Sequence, residues 1–306
     1  MAHRAVFFIL ILTFIHGAQP AGGSQEVCPH DPGQVYVPGG RFTFGSTRAE
    51  RELAYTLDKQ VTRPYGWYEQ ETRGQIEAGP FCIDQTPVTQ REYERFVQVT
   101  QHRAPDISND DYLSQGFLVH PYTSVQRYRW QQGSPPKSLA EHPVVLISVA
   151  DAAAYCGWRG RTEGRRYRLP TELEWEKAAR GTNGQFFPWG NEWDSTALNS
   201  EDRLGTTSPV GQFPRGESPY GVLDMAGNTF EWTATPWAAP TPLAPSKRSV
   251  LKGCSWDDRP GTCRAAMRHG RANKSRHILI GFRCVSETTN RQQKHPTEGP
   301  KNSKPQ

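Results

Sequence analysis

The residues with the most chemical capacity lie between Cys254 and Asn273. This stretch carries Cys254, Ser255, Trp256, Asp257, Asp258, Cys263, Arg268, His269 and Arg271. Asp257 or Asp258 can serve as a base or as a ligand. Arg268, His269 and Arg271 can hold an anionic or peptide substrate against Trp256. The same charges can equally be salt bridges that shape a loop. A second stretch, Asp224 to Glu231, sets two carboxylates seven positions apart with the flexible Gly227 between them. Calcium takes roughly six to eight oxygens from carboxylates, amides and carbonyls, so this spacing suits a calcium loop or a hydrogen-bonded turn. The six cysteines are Cys28, Cys82, Cys156, Cys254, Cys263 and Cys284. They allow too many pairings for spacing alone to choose among, and none forms a CxxC or Cys/His cluster with zinc-site spacing.

The elements that must position these groups follow from composition and patterning. Hydrophobic residues make up 35% of the 306, aromatics 11%, and there are 28 Gly and 25 Pro. So many breakers exclude a helical bundle and a doubly wound sheet, leaving one α+β domain with low regular secondary structure. Val35 to Gly45 alternates around a Gly-Gly turn and reads as a hairpin. Residues 46–78 are charged and aperiodic and read as a loop with one helical turn. Phe81 to Val88 reads as a strand, followed by a helix capped by Thr89 with Glu92 three residues on. Residues 104–141 read as a long loop of the kind that carries function or marks an insertion. His142 to Val149 reads as an apolar strand, and Asp151 to Gly157 as a helix start. Another helix is capped by Thr171 with Glu174 and runs to Arg180. In it Trp175 reads as core, and Glu172 and Glu176 as caps or partners of arginines. Short strands are expected at 250–252 and 280–285.

The N-terminus places Arg4 before an apolar run from Ala5 to Ile15 and then small residues, the pattern of a signal peptide over 1–23. The run is short for a membrane span, so the mature chain is expected outside the cytoplasm, periplasmic or secreted, with no membrane segment. The tail, 286–306, is polar and expected to be disordered. Net charge is +5, and without the signal and tail the body keeps about +2, spread along the chain, which excludes a nucleic-acid footprint. Asn273-Lys274-Ser275 is a glycosylation sequon, meaningful only in a eukaryotic secretory pathway.

Several segments together resemble the formylglycine-generating-enzyme (sulfatase-modifying factor) family. They are VYVPGGRFTFGS from Val35, FCIDQTPVTQREYERFV from Phe81, HPVVLISVADAAAYCGW from His142 and RLPTELEWEKAARG from Arg168, then FPWGNEWD from Phe187, SPYGVLDMAGNTFEWT from Ser218, LKGCSW from Leu251 and GFRCV from Gly281. The resemblance covers residues 28–285 and implies the C-type-lectin-like fold of that family. It implies one calcium held by Asp224, Gly227, Thr229 and Glu231, and a second held by Asn199, Ser200, Asp202 and Leu204, on a loop shorter than in the parent enzymes. It also implies a disulfide between Cys156 and Cys284, and Cys28 with Cys82 as a second bridge.

Catalytic members carry a Cys-x4-Cys pair after a Gly-Gly-Ser element, which binds Cu(I) and oxidises a substrate thiol with oxygen. This chain departs from that pattern. Counted forward from Ser255 the two positions fall on Asp258 and Cys263; counted back from Cys284 the second falls on Pro260. Cys254 and Cys263 are nine positions apart, which leaves open a third disulfide, a re-spaced redox or copper pair, or two separate thiols. Some relatives use iron held by histidines, but the nine His here show no His-x3-His pattern. The resemblance therefore points to oxidation of a protein or peptide substrate in an exported compartment by a monomer with calcium, and with copper or iron if it is an oxidase. The other reading is a calcium-binding scaffold or ligand-binding protein.

Overall fold

A computed structural model of the chain describes residues 28, 31–116, 119–237 and 247–288. The expected signal segment lies outside these residues, as does the expected tail beyond residue 288. Ser286 and Glu287, at the head of that tail, are ordered into the domain: Ser286 ends a strand and donates to Gln34 Oε1, and Glu287 meets Arg166.

Four helices begin at a reciprocal capping box, in which a hydroxyl accepts from the N3 amide and an N3 carboxylate reaches back to the cap. They are α1 (Arg48–Leu57, Thr47 with Glu50), α2 (Gln90–Thr100, Thr89 with Glu92), α4 (Val149–Glu163, Ser148 with Asp151) and α5 (Glu172–Arg180, Thr171 with Glu174). The short α3 (Asn109–Ser114) is capped by Ser108 alone. In α2 the expected stripe of Tyr93, Phe96 and Val97 is buried. In α5 Trp175 is core, and Glu176 is a buried partner of Arg180 and Lys252.

The strands are β1 (Gln34–Val37), β2 (Gly40–Phe44), β3 (Gly74–Ala78), β4 (Phe81–Asp84), β5 (Tyr167–Arg168), β6 (Phe230–Pro236), β7 (Arg248–Lys252), β8 (His269–Ala272), β9 (Ile280–Gly281) and β10 (Val285–Ser286). One sheet is ordered β1-β4-β10-β5, another β8-β7-β6-β9, and β2 pairs with β3. The expected hairpin over 35–45 does not form. The chain turns at Gly40 (φ +122°), β1 pairs with β4, and β2 crosses to β3. The 46–78 segment begins as α1 and ends as β3, which the charge of the stretch concealed, and keeps the expected loop with one helical turn (Arg63–Tyr65) only between them; Ala54 and Tyr55 are the buried residues of α1. The apolar stretch from His142 joins no sheet. Val144 to Ile147 are fully buried, but Leu146 turns into the left-handed region (φ +60°), which breaks the extended run; Val144 N–H donates to the Val88 carbonyl and Leu146 N–H to that of His277.

The larger core runs from α1 and α2 through Val144–Ile147 to Ile278–Phe282, and a smaller one packs Trp175, Ala178 and Met225 against β1 and β4. Three disulfides pin this arrangement: Cys28–Cys82, Cys156–Cys284 and Cys254–Cys263. The second ties α4 to the residue before β10, and no cysteine is free.

Candidate functional site

The loop from Cys254 to Cys263 is closed on itself by its disulfide, with Cα atoms 4.8 Å apart. Its first half rests on two other loops. Gly227 N–H donates to Cys254 Sγ at 2.9 Å, Trp256 N–H to the Asn228 carbonyl at 3.2 Å, and Asp202 N–H to the Trp256 carbonyl at 2.9 Å. Glu201 N–H donates to the Asp258 carbonyl, and Asn228 N–H to the Asn199 carbonyl. Its far half sits on the end of α1, where Asp58 accepts from Gly261 N–H at 2.6 Å, from Thr62 Oγ1 at 2.9 Å and from the Tyr68 hydroxyl.

Over this loop lies a cavity of about 150 Å³. Its lining combines apolar side chains (Val61, Trp67, Val119, Phe230, Leu279) with polar and charged ones (Thr62, Asp257, Asp258, Arg259, Thr262, His269, Arg271). Burial, and then the neighbouring Asp257 carboxylate, pushes Asp258 up to about 8. Burial, reinforced by Arg271 and Arg248, pushes His269 down to about 3. Arg271 is itself lowered to about 10 by burial and Arg248. The cavity thus holds an acid that resists ionising and an imidazole that resists protonation. A second, polar cavity of about 390 Å³ lies behind it, lined by His120, Ser124, Arg127, Tyr128, Asp202 and Trp256 among others. His120 packs tilted against Trp256, ring centroids 4.6 Å apart, and its Nε2 meets Asp257 Oδ2 at 2.9 Å.

Of the expected site residues, Ser255, Asp257, Asp258, His269 and Arg271 come together. Trp256 faces the second cavity instead. Arg268 is elsewhere: its guanidinium grips the Glu172 carboxylate at 2.7 and 2.9 Å and lies over Trp237. A β-strand alternates its side chains, so Arg268 and His269, adjacent at the start of β8, face opposite ways. Cys254 and Cys263 are paired, wholly buried and line neither cavity. The Asn273 side chain accepts from Ser249 Oγ and Ser275 is buried, so the sequon is built into the β7–β8 edge. Sequence reasoning missed His120, Trp67 and Thr62. They lie in stretches read as loops, and nothing local marks them.

The two candidate calcium loops lie side by side, Gly227 (φ +79°) packing on the Asn199 backbone. Asp224 is buried and pushed up to about 6 by burial, with Glu231 adding to the rise against Arg283. Glu231 is fully buried and accepts from Arg283 Nε and Nη2 and from Trp175 Nε1, all within 2.8 Å. It would offer a cation only its remaining lone pairs. In the second loop Asn199 Oδ1 and Ser200 Oγ, and beside them Thr229 Oγ1, are buried without a hydrogen-bond partner. Asp202 and Leu204 are exposed. An oxygen-only donor set with orphaned buried oxygens fits calcium in kind. Among the described residues no three His, Cys, Asp or Glu side chains converge, and the closed cysteines do not fit copper or iron.

A family model described as "Sulfatase-modifying factor enzyme 1-like domain" matches residues 21–288. The chain belongs to this family. It is similar to the mouse (Mus musculus) protein named "Inactive C-alpha-formylglycine-generating enzyme 2", 33% identical over 293 residues, 84% of this chain and 86% of that one. It is also similar to the Mycobacterium tuberculosis protein named "Formylglycine-generating enzyme", 30% identical across 83% of this chain and 97% of that one. Among solved structures, PvdO from Pseudomonas aeruginosa matches with a TM-score of 0.61 at 25% identity, over 88% of this chain and 100% of that one. The sulfatase-modifying-factor fold and the Cys156–Cys284 and Cys28–Cys82 bridges are therefore as the resemblance implied. The family includes members named as active and as inactive.

Proposed function

We propose that this chain is an exported, ligand-binding member of the family, which seats part of a protein or peptide partner in the Asp258 cavity and does not work through a cysteine pair. The observation that carries this reading is the pairing and complete burial of Cys254 and Cys263, away from both cavities. A thiol that turns over must reach its substrate as a thiolate, and these sulfurs have no route to one. Three disulfides suit an oxidising compartment, in the periplasm or secreted. Calcium would be held by Asp224, Gly227, Thr229 and Glu231, and by Asn199, Ser200, Asp202 and Leu204. It would supply rigidity, holding both loops against the one that carries Asp257 and Asp258.

A second reading is oxidation of a bound peptide thiol by dissolved oxygen, the two hydrogens lost from the peptide passing to hydrogen peroxide, as the resemblance to catalytic members of the family suggests. One experiment separates the two. The mature protein, immobilised, is offered a peptide library, and retained peptides are weighed. Val61 is 51% exposed at the cavity mouth, so Val61→Trp obstructs the cavity without entering the core. Binding predicts peptides retained by the wild type, released by Val61→Trp and unchanged in mass. Peptides returned lighter by two hydrogens would favour oxidation, and retention indifferent to Val61→Trp would refute the cavity as the site.

A further inference from the structure

Asp257, Ser255 and Asp258 meet at one hydroxyl. Ser255 Oγ lies 2.6 Å from Asp257 Oδ1 and within hydrogen-bonding distance of Asp258 Oδ2. Each of these contacts needs a proton between its two oxygens, and a serine hydroxyl carries a single one. One carboxyl must supply the other. Asp257 has a donor for each oxygen, the Ser255 hydroxyl and His120 Nε2 at 2.9 Å, and is satisfied as an anion. Asp258 receives the Ser255 N–H at 2.8 Å on the oxygen that also faces the hydroxyl. It is the member left to carry the proton, as closely placed carboxylates do not both ionise.

The groups that face Asp258 are Asp257 on its own loop, Asp58 at the end of α1, and Arg271 and His269 on β8, with Arg259 at the rim and His120 behind Asp257. With Asp258 and His269 both neutral, the charged groups lining the cavity are Asp257 against Arg259 and Arg271. Asp58 and Arg248, which face the site from outside its lining, offset each other, so the excess is one positive charge in a cavity whose other walls are Thr62, Thr262 and apolar side chains such as Val61, Trp67, Phe230 and Leu279. A volume of about 150 Å³ is enough for a benzene-sized ring. We propose that the group this cavity takes is a carboxylate carried on a small apolar body, and that Asp258 enters the site as a neutral acid. This deepens the cavity reading above and rests on it.

The test is calorimetric titration of the mature protein with three probes of one shape: benzoate, benzylamine and benzyl alcohol. Benzoate is expected to bind best. At pH 9, buffers of different ionisation enthalpy should report uptake of about one proton per benzoate, because the anion restores the proton that Asp258 loses above about 8. Affinity should fall about tenfold per pH unit above that point. Asp258→Asn should keep benzoate binding and lose both the uptake and the pH dependence; the wild-type uptake stands as a test without the variant. Preference for benzylamine or benzyl alcohol overturns the proposal and leaves the cavity reading standing. Benzoate binding without proton uptake overturns the role of Asp258. Binding of none of the three overturns both readings.

Discussion

Replacing Cys254 and Cys263 together by serine tests whether that bridge is structural. The cross-link spans nine positions, and the loop-closure relation assigns it about 2.6 kcal/mol at 25 °C. The Gly227 N–H, which now donates to Cys254 Sγ at 2.9 Å, meets a serine oxygen that can accept it instead, so the cost is that of the cross-link alone. For a domain of this size each kcal/mol lowers the melting temperature by roughly 2–4 °C, so the expected drop is roughly 5–10 °C. The assay is thermal unfolding of the mature protein by circular dichroism, without reductant, with benzoate titrated below the transition. A lower melting point with benzoate binding retained is the expected result. A variant as stable as the parent that had lost an oxidising activity toward peptide thiols would refute the reasoning, because the pair would then be a tool rather than a brace.

Three further outcomes follow from the buried charges and the loops. Arg283→Met strands the Glu231 carboxylate where both partners are fully buried and should cost about 3–5 kcal/mol in urea denaturation; a loss under about 1 kcal/mol would contradict the pairing. Asp224 has a folded value of about 6 against 3.8, so its ionisation costs stability above about 6, and the cost fades as pH falls toward 3.8. In chelator, Asp224→Asn should therefore melt higher than wild type at pH 8 and gain little near pH 4. Calcium at a hundredfold excess over its Kd should stabilise the wild type by about 2.7 kcal/mol. Gly227→Ala should lose that response in a melting assay, since its Cβ would fall 2.4 Å from the Asn199 carbonyl oxygen.

Local chemistry was legible in the sequence wherever the cause is local. The caps at Thr89 and Thr171 were readable because each needs only a hydroxyl and a carboxylate three residues apart. The same pattern at Thr47 and Glu50 is hidden because charge dominates residues 46–78, although α1 separates its polar and apolar faces as sharply as α2 does. Alternation marked β1 and β2 but does not name a strand's partner, so both were assigned to each other when each pairs across the fold. The apolar run from His142 could not be told from a strand, since burial on all sides looks the same whether or not the backbone is laddered. At the site, proximity in sequence was a fair guide for Ser255 through Asp258, which lie on one short loop, and a poor one at Arg268. His120 and Trp67 reach the site from more than a hundred residues away, and a lone histidine or tryptophan in a loop carries no mark of its destination.

The central claim is that this chain keeps its cysteines closed and does not act through a thiol pair. It is tested most directly by alkylating the natively exported protein before and after reduction and locating the label by mass spectrometry. No cysteine is expected to carry label before reduction, and all six are expected to carry it afterwards. Label on Cys254 and Cys263 in the unreduced protein would contradict it, and would return the pair to the centre of the chemistry.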